Sequence, residues 1–152
     1  MAAVSPLVLA VAATATPPIV LDLTSRTFDD QVGRSWHTLV EFHAPWCTAC
    51  ASFAPVLHAV ASELSRERPD MKLMRVDGDA QPELRTRFQI EEAPSLLLFP
   101  ASTPAEREAA AHFTGELNRA ELTKWARDTL SRLPLLSDSS PAPTAKPAME
   151  YP

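Results

Sequence analysis

The sequence predicts an α/β sandwich: a central mixed β-sheet with helices on both faces. Two observations carry that expectation. Apolar periodicity switches repeatedly between two and 3.6 residues, and the resulting segments fall in the order βαβαβαββα, with no internal repeat. Composition agrees with a single core, since 45% of the 152 residues are hydrophobic and 22% charged. The net charge of −5, without a basic run or interleaved aromatic and basic residues, argues against a nucleic-acid partner.

Taken in order, PIVLDL at 18–23 is a short strand, and Thr24–Val32 a short helix with Phe28 and Val32 on one face. HTLVEFHA at 37–44 is a strand whose apolar content implies burial on both sides. From Cys47 to Arg66 a long helix brings Phe53, Val56, Leu57, Val60, Ala61 and Leu64 to one stripe, interrupted only by Pro55, which removes a backbone hydrogen bond and kinks the helix. MKLMRVD at 71–77 is a strand, PELRTRF at 82–88 a helix opened by Pro82, and SLLLFP at 95–100 a buried strand. AAHFT at 110–114 is the last strand. Asn118 and Glu121 form a capping pattern before a final helix through Leu122, Trp125 and Leu130.

The two ends differ in composition from the middle. Residues 1–15 carry no charged side chain, hold an apolar run from Leu7 to Ala15, and finish in a small-x-small pattern, as a secretory signal peptide does. The run is shorter than the roughly 18–20 residues a membrane span needs, so no span is expected. Residues 134–152 hold five prolines among Ser, Ala and Lys, a tail that cannot bury a core. Residues 16–133 are left as the folded unit, expected to be a monomer.

The chain's only two cysteines lie in HAPWCTAC at 43–50, where a buried strand gives way to the long helix. A thiol at a helix amino terminus faces unpaired N–H groups and the positive end of the helix dipole, which favour the thiolate. Cys50 falls in the first turn on the same side as Cys47, within reach of a disulfide. A bridge across two intervening residues removes little chain entropy, so a reactive pair explains the spacing better than a staple. A zinc site is disfavoured: there is no second CxxC, and His37, His43, His58 and His112 show no HxxxH spacing. No cofactor is expected.

The segment VEFHAPWCTAC at 40–50 resembles the active-site segment of thioredoxin-fold proteins, and in particular the catalytic domains of the protein disulfide isomerase family, which commonly read VEFYAPWCGHC. Pro55, RVDGD at 75–79, RFQIEEAPSLLLF at 87–99 and Gly115 extend the resemblance over about residues 19–130. It implies a thioredoxin-like fold and a thiol–disulfide oxidoreductase acting on protein thiols or disulfides, with Cys47 as nucleophile and Cys50 as resolving thiol. It implies further that Glu41 is the buried acid that relays the Cys50 proton, and that Ala93-Pro94 is a cis peptide bond whose alanine pairs with extended substrate. Arg75 takes the place of a family lysine beside that acid, or is an ordinary strand-end charge. Trp46 is a hydrophobic contact for substrate, or a packing residue shielding the site.

Two departures from the family pattern leave the redox direction open. Thr48-Ala49 between the cysteines lacks both the His of isomerases and the Pro of reducing thioredoxins, and without a neighbouring His cation the thiolate form is less stabilised. Glu91 and Glu92, just before Ala93, either add negative potential near Cys47 or turn to solvent. The implied location is the endoplasmic reticulum lumen or the cell exterior, with a redox partner still to be identified. A cytosolic or organellar reductant, and a redox-weak substrate-binding module, are the alternatives.

Overall fold

The computed structural model describes residues 20–101 and 111–134. The elements are β1 (Leu21–Leu23), α1 (Phe28–Gln31), β2 (His37–His43), α2 (Thr48–Glu67), β3 (Met71–Asp77), α3 (Pro82–Arg87), β4 (Ser95–Phe99), β5 (Ala111–His112) and α4 (Arg119–Ser131). The order is the expected one. They form a five-stranded sheet, β1-β3-β2-β4-β5, in which β1 and β2 run parallel to β3 while β4 pairs antiparallel with β2 and β5. The sheet is therefore mixed, as the sequence predicts. The leader at 1–15 and the tail beyond Pro134 lie outside the described residues.

Strand alternation sends side chains to two separate cores. On one face Leu39, Leu73, Leu96 and Leu98 pack under α2 and α4, against Phe53, Leu57, Val60 and Leu64 of the first and Leu122, Ala126 and Leu130 of the second. On the other face Val40, Phe42, Met74, Val76, Leu97 and Phe99 meet Phe28, Val32 and Leu84. Phe28, Phe88 and Phe99 contact one another there with ring centroids 5.1–5.6 Å apart, geometry worth about 0.5–1.5 kcal/mol per pair beyond burial. Helices on both faces leave β2 buried along its length except at His43.

The helices begin where the chain can supply caps. The Asn118 side chain accepts the Glu121 N–H at 2.9 Å, so the capping pattern read from sequence is formed. α2 runs unbroken through Pro55, which is exposed, so its ring faces solvent rather than the core. α1 is shorter than expected, because residues 24–27 form a hydrogen-bonded turn in which Thr24 O accepts from both the Thr27 and Phe28 amides. Among the described residues β1 and β5 are also shorter: Val20 precedes β1 without a ladder partner, and Phe113 and Thr114 follow β5 outside the strand.

His37 is fully buried and structural. Its Nδ1 accepts the Ala101 amide at 3.0 Å and its Nε2–H donates to Pro134 O at 2.9 Å, tying the end of β4 to the chain leaving α4. Trp36 is partly exposed with Lys72 Nζ 4.7 Å above its ring, and Trp125 packs edge-on against Phe113.

Candidate active site

Three loops converge at the carboxyl ends of the parallel strands β2 and β3, the end at which open α/β sheets carry their ligands. The first leads from β2 through Ala44 to Cys47, which caps α2 with extended backbone. The Cys47 N–H donates to Ala44 O at 3.1 Å, and the Cys50 N–H donates to Cys47 Sγ at 3.0 Å. One of the helix's orphan amides is thus spent on the first sulfur. The two sulfurs are joined in a disulfide, S–S 2.10 Å, with Cα atoms 5.2 Å apart.

Burial barely separates the two cysteines. Cys47 is 6% and Cys50 4% exposed in this oxidised form. Ala44 and Ala93 pack against the pair, while Thr48 and Ala49 face solvent. The Cys47 sulfur is distinguished instead by its place at the helix end.

The loop between α3 and β4 supplies the opposing wall. Ala93-Pro94 is a cis peptide bond, and Ala93 lies against the cysteine cluster. The Ser95 hydroxyl donates to Glu92 O at 2.7 Å, pinning the loop to the start of β4. No described residue bonds the Ala93 backbone N–H or C=O. Glu91 and Glu92 are exposed, so their side chains reach solvent beside the site.

The third loop follows β3. The Gly78 amide donates to His43 O at 2.8 Å, joining the ends of β2 and β3. From this loop Asp79 Oδ2 accepts the Trp46 indole N–H at 2.6 Å. Trp46 is 67% exposed, so it lies over the surface beside the disulfide and is not a packing residue. Sequence reasoning gave Asp79 no part. Its position inside RVDGD is a signal, but which side chain it meets depends on a contact 33 residues away.

Below the helix sits a polar pair within the sheet. Glu41 is fully buried, and its Oε2 accepts from Arg75 Nε at 2.8 Å, across the register pair that the β2–β3 ladder sets. Arg75 is therefore the acid's partner rather than a strand-end charge. Its guanidinium offsets part of the cost of desolvating a carboxylate. Glu41 Oε1 is buried with no hydrogen-bond partner among the described residues, and no hydrogen bond joins Glu41 to either sulfur.

A cysteine pair at a helix head, faced by a cis-proline loop on a mixed sheet with a buried acid beneath, is a thioredoxin-fold arrangement. The thioredoxin family model matches residues 19–128, and the chain belongs to that family. It is 40% identical over 91 residues to rat protein disulfide-isomerase A4, covering 60% of this chain and 14% of that protein. It is 42% identical over 89 residues to protein disulfide-isomerase erp38 of Neurospora crassa, covering 58% of this chain and 24% of that one. The chain thus spans less than a quarter of the length of these relatives. Its fold matches the solution structure of the first thioredoxin domain of mouse protein disulfide-isomerase A4 with a TM-score of 0.62 at 24% identity, over 84% of this chain and 83% of that one.

Proposed function

We propose that this protein is a thiol–disulfide oxidoreductase that forms, reduces or reshuffles disulfides in protein substrates. The observation that carries the reading is the Cys47–Cys50 pair at the head of α2, set against Ala93. In the reducing direction the Cys47 thiolate attacks a substrate disulfide, forming a mixed disulfide and releasing one substrate thiolate. Deprotonated Cys50 then attacks Cys47 Sγ, which closes the internal bridge and releases the second substrate thiolate. Two electrons pass from this protein's dithiol to the substrate. Oxidation of a substrate dithiol is the same sequence reversed.

The residues around the pair have distinct parts in this reading. The Cys50 N–H that now bonds Cys47 Sγ stabilises the Cys47 thiolate once the bridge opens. Glu41 accepts the Cys50 proton through intervening water, with Arg75 as its positioning residue. The free backbone of Ala93 pairs with an extended substrate strand, where Pro94, lacking an N–H, offers no competing donor. Trp46 supplies an apolar contact, and Thr48 and Ala49 contribute no cation to hold the thiolate.

The compartment consistent with this chemistry is the secretory lumen, supported by the leader pattern at 1–15 and by the similarity to protein disulfide isomerases. A separate redox partner would reset the dithiol after each turnover. The test is equilibration with reduced and oxidised glutathione followed by thiol trapping and mass measurement. The expected result is a reversible two-electron transition of Cys47 and Cys50 together, with turnover of a disulfide-containing protein. Cysteines that cycle without any turnover of protein disulfides would leave a binding module in its place.

A further inference from the structure

Beside the disulfide the surface carries charge that the exchange chemistry leaves unused. Trp46, Ile90 and Ala93 line a shallow hollow of about 20 Å³, together with Asp79, Glu91 and Glu92. That is room for part of an aliphatic stem and far too little for an aromatic ring, since a single water already needs roughly 10–15 Å³ by such a measure. Arg85 lines the hollow too, but its charge is committed. Its Nη1 lies 3.6 Å from Asp79 Oδ1, and its Nε–H donates to Ile90 O at 3.0 Å.

Glu91 and Glu92 are exposed and form no ion pair with another described residue. With Asp79 and Arg85 cancelling, the hollow presents two uncompensated carboxylates within two residues of Ala93. His43 lines the same hollow, and its Nε2 is closed to solvent without a hydrogen-bond partner among the described residues.

We propose that this hollow selects the substrate: polypeptides that carry Lys or Arg within about two residues of the reacting cysteine. The inference rests on the oxidoreductase reading, in which an extended chain lies along Ala93. Successive residues of such a chain are about 3.3 Å apart, so a side chain one or two positions from the substrate sulfur stands over the hollow. A lysine or arginine stem lies on the apolar wall of Trp46, Ile90 and Ala93 while its charged head stays in water and meets the carboxylates. The Trp46 indole, held by Asp79, offers its face to the same cation. A flanking Asp or Glu meets repulsion from both carboxylates.

The test uses three peptide dimers, each joined by one disulfide and differing only in having Lys, Gln or Glu beside the cysteine. Reduced full-length protein attacks the dimer, releasing one peptide thiol as the mixed disulfide forms and the second when Cys50 closes the internal bridge, and the released peptide is followed by chromatography. The quantity read is the Lys-to-Glu ratio of second-order rates, because a ratio cancels any change in Cys47 reactivity caused by altering the local charge. Wild type should show a ratio of about ten at low ionic strength, falling to about two at high salt, as Coulomb attraction over roughly 8 Å of wet surface requires. The Glu91→Gln/Glu92→Gln double variant should bring the ratio near one. Equal rates for Lys and Glu in wild type, or a ratio unmoved by the double variant, overturn the charge preference alone. Failure to exchange with the Gln peptide at all overturns the oxidoreductase reading, and this inference with it.

Discussion

Replacing Glu41 by Gln separates proton transfer from everything else the residue does. In the proposed mechanism the first attack needs only the Cys47 thiolate, whereas release needs Cys50 deprotonated. General-base assistance is typically worth about 10²–10⁴-fold, and water substitutes for part of it, so resolution should slow by roughly 10- to 1,000-fold while mixed-disulfide formation keeps its rate. The fold should survive. The amide carbonyl of the Glu41→Gln variant can still accept the Arg75 Nε–H, whose nitrogen now lies 2.8 Å from Oε2, and Arg75 is 27% exposed, so its charge retains water. The loss of Coulomb attraction opposes relief from burying a carboxylate, leaving a net change of about 1 kcal/mol or less and only a few degrees in Tm. Stopped-flow fluorescence with a single-disulfide peptide resolves the two steps. An unchanged resolution rate would make Glu41 a structural residue, and equal slowing of both steps would locate its effect at Cys47 instead.

Further expectations follow from single features of the structure. Cys50→Ala should accumulate mixed disulfides with substrate that wild type does not, seen on non-reducing gels, and faster labelling of Cys50 than Cys47 in reduced protein would reverse their roles. Gly33→Ala should destabilise the fold by about 1–2 kcal/mol, read as a lower urea midpoint with m unchanged, because φ is +66° and the added Cβ would lie 3.0 Å from Pro100 O. Glu63 is held below its ordinary 4.5 by the Arg119 and Arg127 guanidiniums, and Glu67 by Arg127. Carboxyls lowered in the fold add stability above 4.5 and lose it as pH falls through their folded values. The melting-temperature gap between wild type and Arg127→Gln should therefore be open at about pH 7, close at lower pH, and shrink with salt because the side chains are exposed.

The fold was legible wherever a segment buries one stripe or both faces. β2, β4 and α2 announce themselves because sheet and helix periods leave different apolar spacings. The edge strands did not give their lengths, since among the described residues apolar Val20 precedes the three that find partners on β3. Within the site, the cysteine pair could be argued from local chemistry alone. Ala93 could not: its contact with Cys47 and Cys50 joins segments more than 40 residues apart, and it entered only through likeness to a family. The Trp46–Asp79 bond was invisible for the same reason.

The pairing of Glu41 with Arg75 shows how an apolar pattern can set a polar site. Leu39 faces α2 and α4 while Val40 and Phe42 face the phenylalanine cluster, so alternation puts Glu41 on the α2 side. On β3, Leu73 faces α2, and Met74 and Val76 face the other way, which brings Arg75 to the same side. The ladder then aligns Glu41 with Arg75. Shifting β2 by one residue would turn Glu41 into the aromatic core, with a buried carboxylate facing Phe42's present neighbours and no cation beside it. The cost of that arrangement adds to the cost of exposing Val40 and Phe42 to the wrong face. Register, ion pair and apolar alternation thus favour the same alignment, and the acid is held below the head of α2 by the residues that form the core.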